Sequence, residues 1–267
     1  MNIDPQLSVQ GYEQAFVVNG TQLSGVNNVS VNYSIPLEQA LILGAEYGYN
    51  LNNPIQAEIS IQRQMLYQDP LLAFTGDASF SGSLKYNGKS YGFTSGFLNQ
   101  YSISCSVGEV PSISCGITIF GKLQPSLEVL KTQEHPSIFI PSPRSISVSG
   151  NNTVNNRVKG FTFDYNINRQ AIYSLDSAKE VDEVVFLPPV NITASMSLDA
   201  VDMTLDDYHD FLKSVSQKSF DISVKGRDND DEIIRLTIPN IQAVSQELAS
   251  SADNALTVVN NFIGHLA

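Results

Sequence analysis

The chain has 267 residues, 42% hydrophobic and only 16% charged, with 15 Lys and Arg against 27 Asp and Glu and a formal net charge of −12. This acidity excludes a protein that grips nucleic acid through its phosphates, because that grip needs Lys and Arg to displace counterions. It leaves open a negative wall that lets a polyanion pass, or a charge that serves solubility alone.

The opening MNIDPQLSVQ has neither the basic nor the apolar region of a secretory signal, and no apolar run approaches the ~18 residues of a membrane helix. The sequence therefore points to synthesis in a cytoplasm. Asn-x-Ser/Thr triplets such as Asn28–Ser30 and Asn191–Thr193 read as chance in a chain so rich in Asn and Ser.

In chain order, the first strand candidates are Ile55–Ile61, Ser79–Tyr86 and Ser90–Phe97. Asn87-Gly88 joins the last two, and Asn-Gly between apolar runs favours a tight hairpin turn with positive φ angles. Arg63–Phe74 reads as a short helical segment broken near Pro70. Residues 101–107 (Tyr-Ser-Ile-Ser-Cys-Ser-Val) and 113–119 (Ile-Ser-Cys-Gly-Ile-Thr-Ile) alternate apolar with small polar residues, the period of a strand with one buried face. A hairpin turn centred on residue 110 sets Cys105 opposite Cys115. The two cysteines then read as small buried hydrophobes in a reducing compartment, with a cross-strand disulfide or a two-cysteine metal site as alternatives.

From Gln124 to Gly150 the chain carries Pro125, Pro136, Pro141 and Pro143, which discourage helix and stiffen a linker. Ile138-Phe139-Ile140 is placed there as an edge strand. Further on, Thr204–Gln217 has a helical pattern: Thr204 as cap, Asp206 and Asp207 in the first turn, and Leu205, Tyr208, Phe211, Leu212 and Val215 on one face. That helix explains the cluster Asp202, Asp206, Asp207 and Asp210. A second cluster, Asp228, Asp230, Asp231 and Glu232, adds to the acidity of the second half.

The halves resemble each other in order. Val26-Asn27-Asn28 is matched with Val154-Asn155-Asn156, and Tyr33-x-Ile35 with Tyr165-x-Ile167. Ala57-x-Ile59-Ser60-Ile61 is matched with Ala194-x-Met196-Ser197-Leu198, Phe80 with Phe220, and Gly121 with Gly264. The expected architecture is mainly β: two tandem copies of a small antiparallel β-sandwich or half-barrel domain, each with one helix. Residues 1–123 form the first copy, 124–136 a Pro-containing linker and 137–267 the second. Each copy has a polar excursion, Gly44–Asn53 and the acidic Asp176–Glu183, as a candidate to lie over a neighbouring subunit.

The chain resembles the tail tube proteins of long-tailed bacteriophages. The resemblance rests on the closing strands of the first half, from Leu98-Asn99-Gln100-Tyr101-Ser102-Ile103-Ser104 through Ser106-Val107-Gly108-Glu109-Val110 to Ile117 and Gly121. It rests also on the expected helix between strands Ile55–Ile61 and Ser79–Tyr86, and on the duplication. In the second half Val244-Ser245-Gln246-Glu247 departs from the pattern by lacking the glycine. The resemblance implies a virion protein made in the host cytoplasm. Its domains join across subunits into a β-barrel ring, three two-domain chains imitate six domains, and stacked rings pass DNA without specific binding. Another tail ring component (baseplate hub, distal tail or neck protein) or a two-domain adhesin or carbohydrate-binding module is the alternative. No Gly-x-Ser-x-Gly, His-Glu-x-x-His, P-loop or dinucleotide fingerprint occurs, and His135, His209 and His265 lie in unrelated contexts. The expectation is therefore a protein that is not an enzyme, with no catalytic, cofactor-binding or metal residue assigned.

Overall fold

The computed structural model describes residues 15–34, 38–40, 48–50, 55–65, 69–86, 89–125, 140–142, 144–150, 153–155, 157–172, 181–199, 218–225, 232–251 and 254–266. The alternation of apolar and polar residues becomes antiparallel sheet throughout. In the first half the strands are β1 (Ala15–Val18), β2 (Thr21–Gln22), β3 (Val26–Ser34), β4 (Glu38–Ala40), β5 (Gly48–Asn50), β6 (Gln56–Gln64), β7 (Phe80–Tyr86), β8 (Lys89–Ser106), β9 (Ser112–Ile119) and β10 (Gln124–Pro125). In the second they are β11 (Ile146–Gly150), β12 (Thr153–Asn155), β13 (Val158–Ile172), β14 (Glu183–Asp199), β15 (Lys218–Lys225), β16 (Glu232–Ser251) and β17 (Asn254–Leu266). No helix among the described residues is long and apolar enough to cross a membrane.

Pairing follows one order twice. In the first half it runs β2-β1-β7-β8-β9-β6-β3, and in the second β12-β11-β15-β16-β17-β14-β13. The halves meet where β8 pairs with β13, from Gln100↔Asn166 to Ser106↔Gly160. That ladder makes β3-β6-β9-β8-β13-β14-β17-β16 a single run of eight strands. The long strands β8 and β16 leave this sheet at their N-terminal ends to pair with β7 and β15.

The irregularities repeat as well. β3 slips against β6 between Val26 and Asn28, and β13 slips against β14 between Val158 and Gly160. β8 slips against β9 between Leu98 and Gln100, and β16 against β17 between Ala243 and Ser245. Bulges bend a strand and re-aim its side chains, so coincident bulges carry more information than coincident residue types.

The long inner strands bury one face. Ile59, Ile61, Tyr101, Ile103, Cys115, Ile117, Phe163, Ile192, Val258 and Phe262 are all at most 2% exposed. The pieces folded over them supply Phe16, Phe80 and Leu84 in the first half and Ile146, Val148, Ile222 and Leu236 in the second, and the whole forms one continuous core cluster. Gly82 and Gly96 leave the space the Phe93 ring occupies, since a Cβ at either would collide with it.

Several sequence expectations are corrected. Arg63 lies inside strand β6, which runs to Gln64, and the helical turn among the described residues of 63–74 is the 3₁₀ segment Pro70–Phe74. Asp69 caps that segment by accepting from the Leu71 N–H at 2.8 Å, and Pro70 at its start suits a fixed φ with no N–H to satisfy. Residues 90–97 and 101–107 were expected as separate strands; they belong largely to one strand of 18 residues, β8. The β8–β9 hairpin is centred on residue 108 and not on residue 110, which moves each partner by four: Tyr101, not Cys105, faces Cys115, and Ile103 faces Ile113. Gly108, with φ +83°, takes the turn, a conformation that glycine adopts without steric cost. Cys105 lies across from Phe161 instead, and both thiols are free and buried.

Val244–Glu247 lies inside β16 and is no turn. Ile140 is exposed and outside any strand, while Ile138 and Phe139, the Thr204–Gln217 helix and Asp228–Asp231 lie outside the described residues. So do Asn87 and Gly88, although Tyr86 and Lys89 flank them as a paired end of the β7–β8 hairpin.

Candidate functional site

Two surfaces of the eight-stranded sheet stand out: its polar face and its two free edges. Because side chains alternate, one face collects the residues that the core does not take. Reading across the strands by register, one row is Ser30, Ser60, Gly116, Gln100, Asn166, Asn191 and His265. The next is Asn28, Gln62, Ser114, Ser102, Asp164, Thr193 and Ile263, and the third is Gln64, Ser112, Ser104, Thr162, Ser195, Asn261 and Ser245. The three rows hold one carboxylate, Asp164, and no Lys or Arg, and Glu58 and Glu247 lie in the rows that flank them. The face is a lawn of hydroxyls and amides with sparse negative charge. Such a surface holds water well and offers a polyanion no counter-charge.

The joint between the halves shows how two such sheets fuse. Tyr101 and Tyr165 face each other across it, 0% and 6% exposed. Gly160 permits the approach: a Cβ there would lie 2.9 Å from Ser106 Oγ and 3.0 Å from the Cys105 carbonyl oxygen. Beyond the ladder, Arg169 of β13 reaches back to the first half. Its Nε donates to the Leu98 carbonyl at 3.3 Å, its Nη2 donates to the Gly76 carbonyl, and its guanidinium lies 5.2 Å from the centre of the Phe97 ring and 5.7 Å from that of Phe186. Burial pulls the Arg169 pKa down, with Asp77 opposing the shift.

Beneath the joint sits a buried polar group that the alternation of the sequence did not announce. Arg63 forms an ion pair with Asp69, whose other contacts are the Tyr101 hydroxyl, donating at 2.8 Å, and the Leu71 N–H. Burial, then the charge of Asp69, raises the Tyr101 pKa well above its ordinary value. The arrangement ties the 3₁₀ segment to β6 and β8. The sequence signal for it is a charged residue, Arg63, at an inward position of an alternating strand.

At the outer strands the run is open. Among the described residues, β3 pairs only with β6, and residues 242–251 of β16 pair only with β17. Tyr33 on β3 is 51% exposed and Leu248 on β16 is 47% exposed. β3, Val-Asn-Asn-Val-Ser-Val-Asn-Tyr-Ser, has none of the charges or prolines with which proteins blunt a free edge.

No group of three or more His, Cys, Asp or Glu that could hold a metal occurs among the described residues. His265 is exposed on the polar face, and His135 and His209 lie outside the described residues. No protein-family model matches the chain, and no curated protein matches it in sequence.

Proposed function

We propose that this protein is a structural, self-assembling ring protein of a phage tail tube, built from two copies of one domain, with DNA passing along its polar face. The observation that carries the reading is the repeated strand order with coincident bulges, combined with a sheet that is joined in the middle and open at both ends. A chain whose first half ends on the kind of strand its second half begins with can add further copies in the same way. Head-to-tail addition closes into a ring when the rotation per chain divides a full turn, and closure removes the exposed edges. Two wedges per chain make three chains equivalent to six domains.

The polar face supports the rest of the reading. A channel that passes DNA must not bind it, and a wall of Ser, Thr, Asn and Gln with a few carboxylates meets that need, where Lys and Arg would release counterions and hold the strand. The test is electron microscopy of the purified chain, with its mass in solution. Rings or stacked tubes with an open bore, and a trimeric mass, are expected; a monomer at all concentrations overturns the reading.

A further inference from the structure

The internal joint supplies a register that a second copy can reuse at the free edges, and this rests on the ring reading above. The coincident bulges set the equivalence. Leu98 and Gln100 correspond to Ala243 and Ser245, so Tyr101 corresponds to Gln246 and Ile103 to Leu248. Val26 and Asn28 correspond to Val158 and Gly160, so Tyr33 corresponds to Tyr165 and Val31 to Phe163. At the internal joint Tyr101 faces Tyr165 and Ile103 faces Phe163. Carried to the free edges, the same ladder sets Gln246 against Tyr33 of the next copy and Leu248 against its Val31.

Two independent observations meet at this register. Tyr33 and Leu248 are 51% and 47% exposed, whereas their counterparts Tyr165 and Ile103 are 6% and 0% exposed. Moreover, Gln246 and its cross-strand neighbour Asn260 carry buried atoms without partners: Nε2 of Gln246, and both Nδ2 and Oδ1 of Asn260, the latter residue being fully buried. Buried amides left unpaired are costly and rare. In the first half the equivalent pair is Tyr101 and Cys115, with the tyrosine hydroxyl satisfied by Asp69.

We infer that β3 of a second copy pairs antiparallel with β16 in this register, and that the phenol of its Tyr33 bonds to the Gln246 amide, with Asn260 next in the same cross-strand row. The hydroxyl accepts from Nε2 of Gln246, and the two amides order each other behind it. The contact is polar where the internal joint is aromatic, so a β3 edge is steered to β16 of another chain.

The register is tested by oxidative cross-linking of the full chain carrying Val31→Cys and Leu248→Cys. The native Cys105 and Cys115 are buried and do not compete. Covalent oligomers are expected, and their near absence from the control Val29→Cys with Leu248→Cys, slipped by two residues. The polar contact is tested with Tyr33→Phe, which keeps the ring and the fold of an exposed position and should weaken association about tenfold, the scale of one lost hydrogen bond to a buried partner. Rings that form but cross-link better through Val29, or a Tyr33→Phe chain that associates as tightly as the parent, overturn this inference while the ring reading stands. A wild-type chain that remains monomeric by sedimentation overturns both.

Discussion

Tyr165 lies directly across from Tyr101, so the residue that completes the buried Arg63–Asp69 group is also the one on which the second half closes. Joint and core are thereby one structure. The continuous cluster of buried side chains through both halves agrees with that.

Gly160→Val should separate the halves. Its side chain would have to displace Ser106 or push β13 away from the Cys105 carbonyl. Overpacking of this kind costs roughly 1–3 kcal/mol. Urea unfolding should show a lower midpoint, and amide exchange should quicken first at residues 100–106 and 160–166. Unchanged exchange in that ladder would mean that the sheet accommodates the side chain by another route.

Removing Asp69 alone should be among the most damaging single changes in the first half. Asp69→Ala leaves the Arg63 guanidinium buried and takes away the carboxylate that Nη2 pairs with, while Nε already lacks a hydrogen-bond partner. Stranding a buried charge costs about 3–5 kcal/mol. Tyr101→Phe removes one hydrogen bond and should cost roughly 1–3 kcal/mol. The double change Arg63→Met with Asp69→Leu should recover much of the loss. A double variant as unstable as Asp69→Ala would show that the cost lies in the shape of the 3₁₀ cap and not in the charge.

Much of this architecture is written in period two. The alternation at Tyr101–Val107 and Ile113–Ile119 assigns the buried and the polar face, and both assignments hold: positions 103, 105, 113, 115 and 117 are buried, with Val107 half-buried. The same period hides register, because a slip of two or four residues leaves every side chain on its face. Thus the match of Tyr33 with Tyr165 agrees with the bulges. Those of Ala57 with Ala194 and Phe80 with Phe220 miss by two, since the ladders set Ile59 against Ala194 and Gly82 against Phe220. Val26–Asn28 corresponds to Val158–Gly160, not to Val154–Asn156. Gly108 held the register of the β8–β9 hairpin, because a turn that needs positive φ selects glycine. The pairing of β8 with β13 joins segments roughly sixty residues apart and leaves no local trace. Neither does the unpaired amide of Asn260, which looks in sequence like any other Asn of a polar chain.

The thiols predict a pH dependence. Burial pushes both Cys105 and Cys115 up from 9.0 to about 12 in the folded chain, Asp69 adding to the effect on Cys115 and Arg63 opposing it. Below pH 9 both states keep their thiol protons and nothing changes. Above it the unfolded chain releases protons that the folded chain retains, so stability falls as pH rises from about 9 to about 12. Tyr165, raised by burial to about 12, adds to the fall above pH 10. Denaturation midpoints measured from pH 7 to pH 11 should decline, and less steeply in Cys105→Ser with Cys115→Ser. Ellman's reagent should leave both thiols untouched in the native protein at pH 8 and titrate both in denaturant. Rapid reaction in the native state would contradict their burial.

The polar face makes the sharpest prediction about function. Its three rows hold Asp164 as their one carboxylate among the hydroxyls and amides and no Lys or Arg, so they offer DNA no site at which to displace its counterions. The wild-type chain should therefore show no retention of duplex DNA at 100 mM salt. Ser60→Lys, Ser102→Lys and Ser195→Lys together place three cations on one exposed surface without entering the core, since all three positions lie on the side of the sheet away from the buried residues. Each change replaces a small side chain at a solvent-facing strand position, where substitutions usually move stability by no more than about 0.5 kcal/mol. The triple variant should fold, and it should bind DNA with an affinity that falls by a log–log slope of about −3 as salt rises, close to −0.9 per phosphate neutralised. If it forms a bore, DNA should be slowed or trapped there. Retention of DNA by the wild-type chain, with a salt slope of its own, would show that this face is a binding surface and would remove the argument for passage.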